Sequence, residues 1–122
     1  MAISDLIGAY AEGWTEGDAT KIINATAPNY VFDDPNAGQI SRSAFAGYLQ
    51  ELSSTLDELR GGAREGNFLD LSEVVVQETE DGATVWCWWE APGTGIGGSG
   101  LIKVGPEGVT SEKITYYTKL PA

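Results

Sequence analysis

No histidine occurs in the 122 residues. Its absence excludes Ser-His-Asp and Cys-His mechanisms and removes most zinc and iron sites. Acid–base chemistry must then come from Asp, Glu, Tyr, Lys or the single cysteine, Cys87. Asp34 is the sharpest candidate. If its segment is extended, Tyr30, Phe32 and Asp34 share one face, because strand side chains alternate with period two. A carboxylate beside aromatic rings loses hydration, which raises its pKa toward that of a working base. The competing reading is a turn: Pro35 follows, and an Asp-Pro pair can start one with the Asp side chain in solvent. Tyr10 lies on the apolar stripe of an N-terminal helix. It reads equally as a hydroxyl offered to a ligand and as a core tyrosine satisfied at its edge. Trp14, one turn on, reads as core or pocket wall.

Among the other acids, Asp33 faces away from Asp34. Glu90 and Glu112 are secondary candidates on late strands, where a solvated rim position is the bland alternative. Trp86, Trp88, Phe45, Tyr48, Leu49 and Tyr116 are expected to wall an apolar pocket, with Tyr30 and Phe32 beside them. Aromatic lining with one or two polar groups is the usual make-up of a small-molecule site. The Gly93–Gly100 run invites a phosphate-loop reading, but no Gly-Lys-Ser/Thr follows and the next element is a strand. It reads as a flexible hairpin. Cys87 has no nearby base and reads as a structural thiol.

These residues need elements to position them. Ile3, Leu6, Ile7, Tyr10 and Trp14 recur at helical spacing and predict a helix over 4–16. Gly17 ends it and Asp18 caps a second helix over 19–26, which Pro28 stops. Residues 29–33 predict a short strand, 34–38 a turn, and Ser41 caps a third helix over 42–59. Strands follow over 68–78, 83–91, 99–104 and 109–119. Helices first and consecutive strands after them mean α+β, with one domain over 1–122 and helices packed on one face of a curved antiparallel sheet. Strand 83–91 is apolar on both faces, with Trp86 and Trp88 on one and Val85, Cys87 and Trp89 on the other. A face not covered by helices should be polar, so a homodimer through the sheet is expected.

Seven basic against 18 acidic residues give a net charge of -11. That surface repels phosphate backbones and anionic lipid, so neither nucleic acid nor membrane is expected as a partner. The N-terminus has no basic or apolar leader pattern, and no run approaches a membrane span. A cytoplasmic location is the expectation.

The order Tyr10, Trp14, Gly17-Asp18, Asn29-Tyr30-Val31-Phe32-Asp33-Asp34-Pro35, Gly38 and a helix from Ser41 resembles the N-terminal half of SnoaL-like and ketosteroid-isomerase-like proteins of the NTF2-like superfamily. The resemblance is concentrated in residues 6–52. It implies a cone-shaped curved sheet wrapped around N-terminal helices. It also implies Tyr10 as a hydrogen-bond donor to a substrate oxygen and Asp34 as general base. The isomerases' second oxyanion donor, an aspartate, falls here at Ser99 or Gly100. A missing donor of that kind typically costs ~10²–10³ in rate, which argues against steroid isomerisation.

The expected function is acid–base chemistry next to a carbonyl on a small hydrophobic molecule, of isomerase, cyclase or dehydratase type, catalysed by Asp34 and Tyr10. Trp14, the pocket walls above and Ser99 would contact the substrate, and no cofactor or metal is expected. The alternative is a non-catalytic domain that binds a ligand or dimerises.

Overall fold

In the computed structural model, which describes residues 2–117, three helices precede and flank a six-stranded sheet. Helix α1 spans Ile3–Glu16 and buries Leu6, Tyr10 and Trp14, the predicted apolar stripe. Gly17 closes it with φ 71°, a left-handed conformation that glycine adopts without penalty. Helix α2, Ala19–Asn24, starts where the Asp18 side chain accepts from the Lys21 backbone N–H.

Strand β1 covers Thr26–Asp34 and β2 covers Gly38–Ser41. A 3-10 turn over Arg42–Ala44 leads into α3, Phe45–Arg60. Strands β3 (Asp70–Glu78), β4 (Ala83–Ala91), β5 (Ile96–Gly105) and β6 (Gly108–Tyr117) form a meander. Across the sheet the order is β2-β1-β6-β5-β4-β3. The fold is a curved, unclosed sheet with helices on its concave side, an α+β cone.

Four details differ from the sequence reading. The sheet is mixed, because β1 runs parallel to β6 with Phe32 opposite Glu112. Pro28 lies inside β1, in the stretch where the β1–β6 register shifts, and a ladder irregularity is where a residue lacking an N–H is tolerated. Residues 38–41 pair with β1 as a strand, where a turn and a helix cap were expected. Ser41 makes no side-chain cap, its Oγ lying 3.2 Å from that of Ser43. The end of the last predicted strand, 118–119, lies outside the described residues.

Inward positions along the sheet follow period two. Val85, Cys87 and Trp89 of β4, Ile102 and Val104 of β5, and Glu112 and Ile114 of β6 are all buried on the helix-covered side. Phe45 and Ile22 are fully buried between the helices and β1. The Trp14 and Phe45 rings meet edge to face at 5.6 Å.

Candidate functional site

Between α1, α3 and the concave sheet lies a cavity of about 360 Å³, the size of a small-molecule site. Its wall is almost wholly apolar. Asn36, Thr55 and Val74 line it and are exposed, which marks the mouth. Tyr10, Val109 and Glu112 line it and are buried, which marks the floor.

On the floor, the Tyr10 hydroxyl donates to Glu112 Oε1 at 2.6 Å and lies 2.6 Å from the Tyr30 hydroxyl. Tyr10 has one proton, so with that proton on Glu112 the Tyr30 hydroxyl donates to Tyr10. Glu112 stands at 5% exposure, and burial pushes its carboxyl up to about 7 against the pull of the Tyr10 hydrogen bond. Burial next to this acid also pushes the Tyr10 phenol well above its ordinary value. Gly100 makes the arrangement possible: a Cβ there would sit 2.4 Å from Glu112 Oε2.

At the mouth, Asp34 is equally buried, at 3% exposure. The Tyr48 and Tyr116 hydroxyls donate to its Oδ2 at 2.5 and 2.8 Å, and the Asn36 backbone N–H donates to Oδ1 at 2.8 Å. Burial raises its pKa, but the Tyr48, Asn36, Tyr116 and Ala37 donors together outweigh burial and hold the carboxyl below its usual value. Asp34 does not itself line the cavity, whereas Tyr48 and Tyr116 do.

Of the residues expected to contact a ligand, the structure brings Tyr10, Trp14, Phe32, Tyr48 and Tyr116 onto the cavity wall. Tyr30, Phe45 and Leu49 are buried behind it as packing. Trp86 and Trp88 are a correction. They stand 44% and 47% exposed on the convex face, and Val85, Cys87 and Trp89 take the wall in their place. Both faces of β4 are apolar, so alternation alone could not say which one turns inward. Ser99 is likewise on the convex face, its Oγ 2.8 Å from Thr115 Oγ1. Glu90 is exposed there too.

Glu112, ranked low in the sequence, holds the buried acid position. The signal was present: Glu112 shares a face with Tyr116 on β6 by period two. Cys87 lines the cavity near the Gly100 site, and burial pushes its thiol up to about 11, which keeps it protonated and inert. The indole N–H groups of Trp14 and Trp89, two further wall residues, are buried without an oxygen partner.

This architecture, N-terminal helices packed in a curved, unclosed mixed sheet, is that of the NTF2-like, ketosteroid-isomerase-like fold. Three solved structures make the likeness concrete. A protein of unknown function with a cystatin-like fold from Nostoc punctiforme superposes with a TM-score of 0.69 at 11% identity, over 98% of this chain and 91% of that one. A protein with a ketosteroid isomerase-like fold from Catenulispora acidiphila, crystallised with trimethylamine, gives 0.67 at 14% identity over 96% and 88%. A candidate polyketide cyclase from Xanthomonas campestris gives 0.61 at 19% identity over 96% and 90%. No family model matches the sequence, and no curated protein matches it significantly. Identities this low carry the fold and no activity. Among the described residues, no helix is long and apolar enough to cross a membrane.

Proposed function

We propose that the chain is a small enzyme that moves a proton next to a carbonyl on a hydrophobic molecule, with Glu112 as the acid–base group. The observation that carries this reading is a buried carboxyl, pushed up to about 7, on the floor of an apolar cavity. A base with a pKa near the working pH combines a populated carboxylate with real proton affinity. Ionised Glu112 would take a proton α to the carbonyl. On becoming neutral it loosens its hold on the Tyr10 hydroxyl, which can then donate to the developing enolate oxygen while Tyr30 keeps the phenol in place. Returning the proton to a different carbon gives isomerisation; carbon–carbon bond formation or loss of a hydroxyl from the enolate gives cyclisation or dehydration. Asp34 moves in this reading from base to anchor, because its carboxyl is held low and both its oxygens are engaged.

The test is α-proton exchange. A panel of hydrophobic ketones and diketones is incubated in D₂O with the wild type, Glu112→Gln and Asp34→Asn, and deuteration is followed by mass spectrometry. Exchange by the wild type should fall ~10²–10⁴-fold in Glu112→Gln and far less in Asp34→Asn. Loss in Asp34→Asn alone would return the base role to Asp34. Background exchange by all three across the panel would favour a ligand-binding domain without turnover.

The convex face supports a second part of the proposal, a homodimer through the sheet. Val75, Trp86, Trp88 and Tyr117 are exposed there, and the Trp88 and Tyr117 rings meet at 5.8 Å. An apolar patch on an otherwise strongly acidic surface is costly to leave in water. Sedimentation should give a dimer for the wild type and a monomer for Trp88→Glu; a monomeric wild type at micromolar concentration rejects this assembly.

A further inference from the structure

The cavity has two polar poles, and only the floor enters the proposed chemistry. Glu112 and Tyr116 are four residues apart on β6, and Tyr30 and Asp34 are four apart on β1. The β1–β6 register sets Phe32 opposite Glu112, so the mouth acid Asp34 stands two residues beyond the floor acid Glu112, about 7 Å along the strands at ~3.3 Å per residue. The wall between them is apolar, with the Phe32 ring 5.3 Å from both the Trp14 and the Tyr48 ring.

The mouth pole has a definite polarity. Tyr48 and Tyr116 spend their hydroxyl protons on Asp34 Oδ2. Each phenol oxygen keeps lone pairs, so toward the cavity these tyrosines can only accept. No Lys or Arg lines the cavity among the described residues. A ligand carboxylate or phosphate would find no positive partner and would meet Glu112 on the floor and, at the mouth, two phenol oxygens backed by the Asp34 carboxylate.

From this geometry we infer that Tyr48 and Tyr116, backed by Asp34, form a specificity subsite for a hydrogen-bond donor on the substrate. The substrate is then an elongated, uncharged or amine-bearing apolar molecule with a hydroxyl or amino group at the end remote from the reacting carbonyl. The assignment of ends rests on Glu112 being the proton-transfer group; the donor preference rests on the mouth alone. Tyr48 and Tyr116 touch the ligand in this account and Asp34 acts through them as a positioning residue.

The experiment uses three matched two-ring ketones: 2-tetralone, 6-hydroxy-2-tetralone and the 6-carboxylate analogue. Binding is read at pH 8 from tryptophan fluorescence, since Trp14 and Trp89 line the cavity. The hydroxylated ketone should bind the wild type ~10-fold or more tighter than 2-tetralone, the range for a hydrogen bond backed by a charge. The carboxylate should bind more weakly than 2-tetralone. Tyr116→Phe and the Tyr48→Phe/Tyr116→Phe double variant should lose the hydroxyl preference while still binding 2-tetralone, which shows that the cavity has survived. Glu112→Gln should keep the preference. Equal affinities for the first two ketones, a preference that persists in the double variant, or no binding of any of the three at millimolar concentration would overturn the inference. Hydroxyl preference without α-exchange would instead retain the subsite and reject the proton-transfer reading; exchange without preference would do the reverse.

Discussion

The floor and the mouth of the cavity each hold one buried acid and two tyrosines, yet the two acids are driven in opposite directions. Surface exposure does not separate them, Glu112 being 5% exposed and Asp34 3%. Depth and donors do: Glu112 lies deep on the floor, where desolvation weighs more, while Asp34 lies nearer solvent at the mouth and has more donors. Glu112 receives one hydroxyl, from Tyr10, and its other oxygen occupies space left by the missing side chain of Gly100. Asp34 receives two hydroxyls on one oxygen and a backbone N–H on the other. One donor does not offset desolvation, and the Asp34 set does. The same residue types thus yield a group near neutrality at one end and a fixed charge at the other.

The comparison can be broken from the mouth with the largest effect on stability. Asp34→Ala should cost about 3 kcal/mol by urea denaturation, because it strips the acceptor from several part-buried donors at once. On the floor, Gly100→Ala should cost about 2 kcal/mol, since its Cβ displaces the Glu112 carboxyl. It should also abolish any exchange activity, whereas the same substitution at Gly47, which meets nothing within 4 Å, should leave that activity unchanged.

The pH dependence of stability should carry opposite signs. Glu112 binds its proton more tightly folded than unfolded, so its contribution favours the fold at low pH and is lost as pH rises from about 4.5 through about 7. Asp34 is the reverse: its stabilisation is full above its ordinary value of 3.8 and disappears as pH falls below it. Glu112→Gln should therefore remove a loss of about 1–3 kcal/mol between pH 5 and pH 8 that the wild type shows. The smallest effect belongs to Tyr10→Phe. Its hydroxyl lowers the Glu112 pKa, so its removal should move the pH–rate midpoint to higher pH, a shift readable in the exchange assay.

Much of this arrangement was legible in the sequence. The apolar stripe of α1 placed Tyr10 and Trp14 inward, and the alternation Tyr30, Phe32, Asp34 correctly put all three on the inner face of β1. Strand β4 was bounded correctly at 83–91, yet its inner face was assigned wrongly, because tryptophans looked like better walls than Val85 and Cys87. Trp86 and Trp88 lie on the convex face instead, and Trp89 joins Val85 and Cys87 on the wall. The glycine at position 100 seemed to remove a functional group from the site. In three dimensions it admits one from the neighbouring strand, where Ile114 faces it and Glu112 leans into the gap. That exchange depends on pairing across β5 and β6, which a single sequence does not display. The donor set of Asp34 was equally hidden, since Tyr48 and Tyr116 lie 14 and 82 residues away from it.

The most direct measurement is a carboxyl titration by ¹³C NMR on protein labelled at the Glu and Asp side-chain carboxyls, with Glu112→Gln and Asp34→Asn used to assign the two signals. The account predicts one glutamate that titrates near pH 7 and vanishes in Glu112→Gln, and an Asp34 signal still ionised below pH 3.8. A Glu112 signal that titrates with the exposed glutamates, or an Asp34 signal shifted toward neutrality, would contradict it.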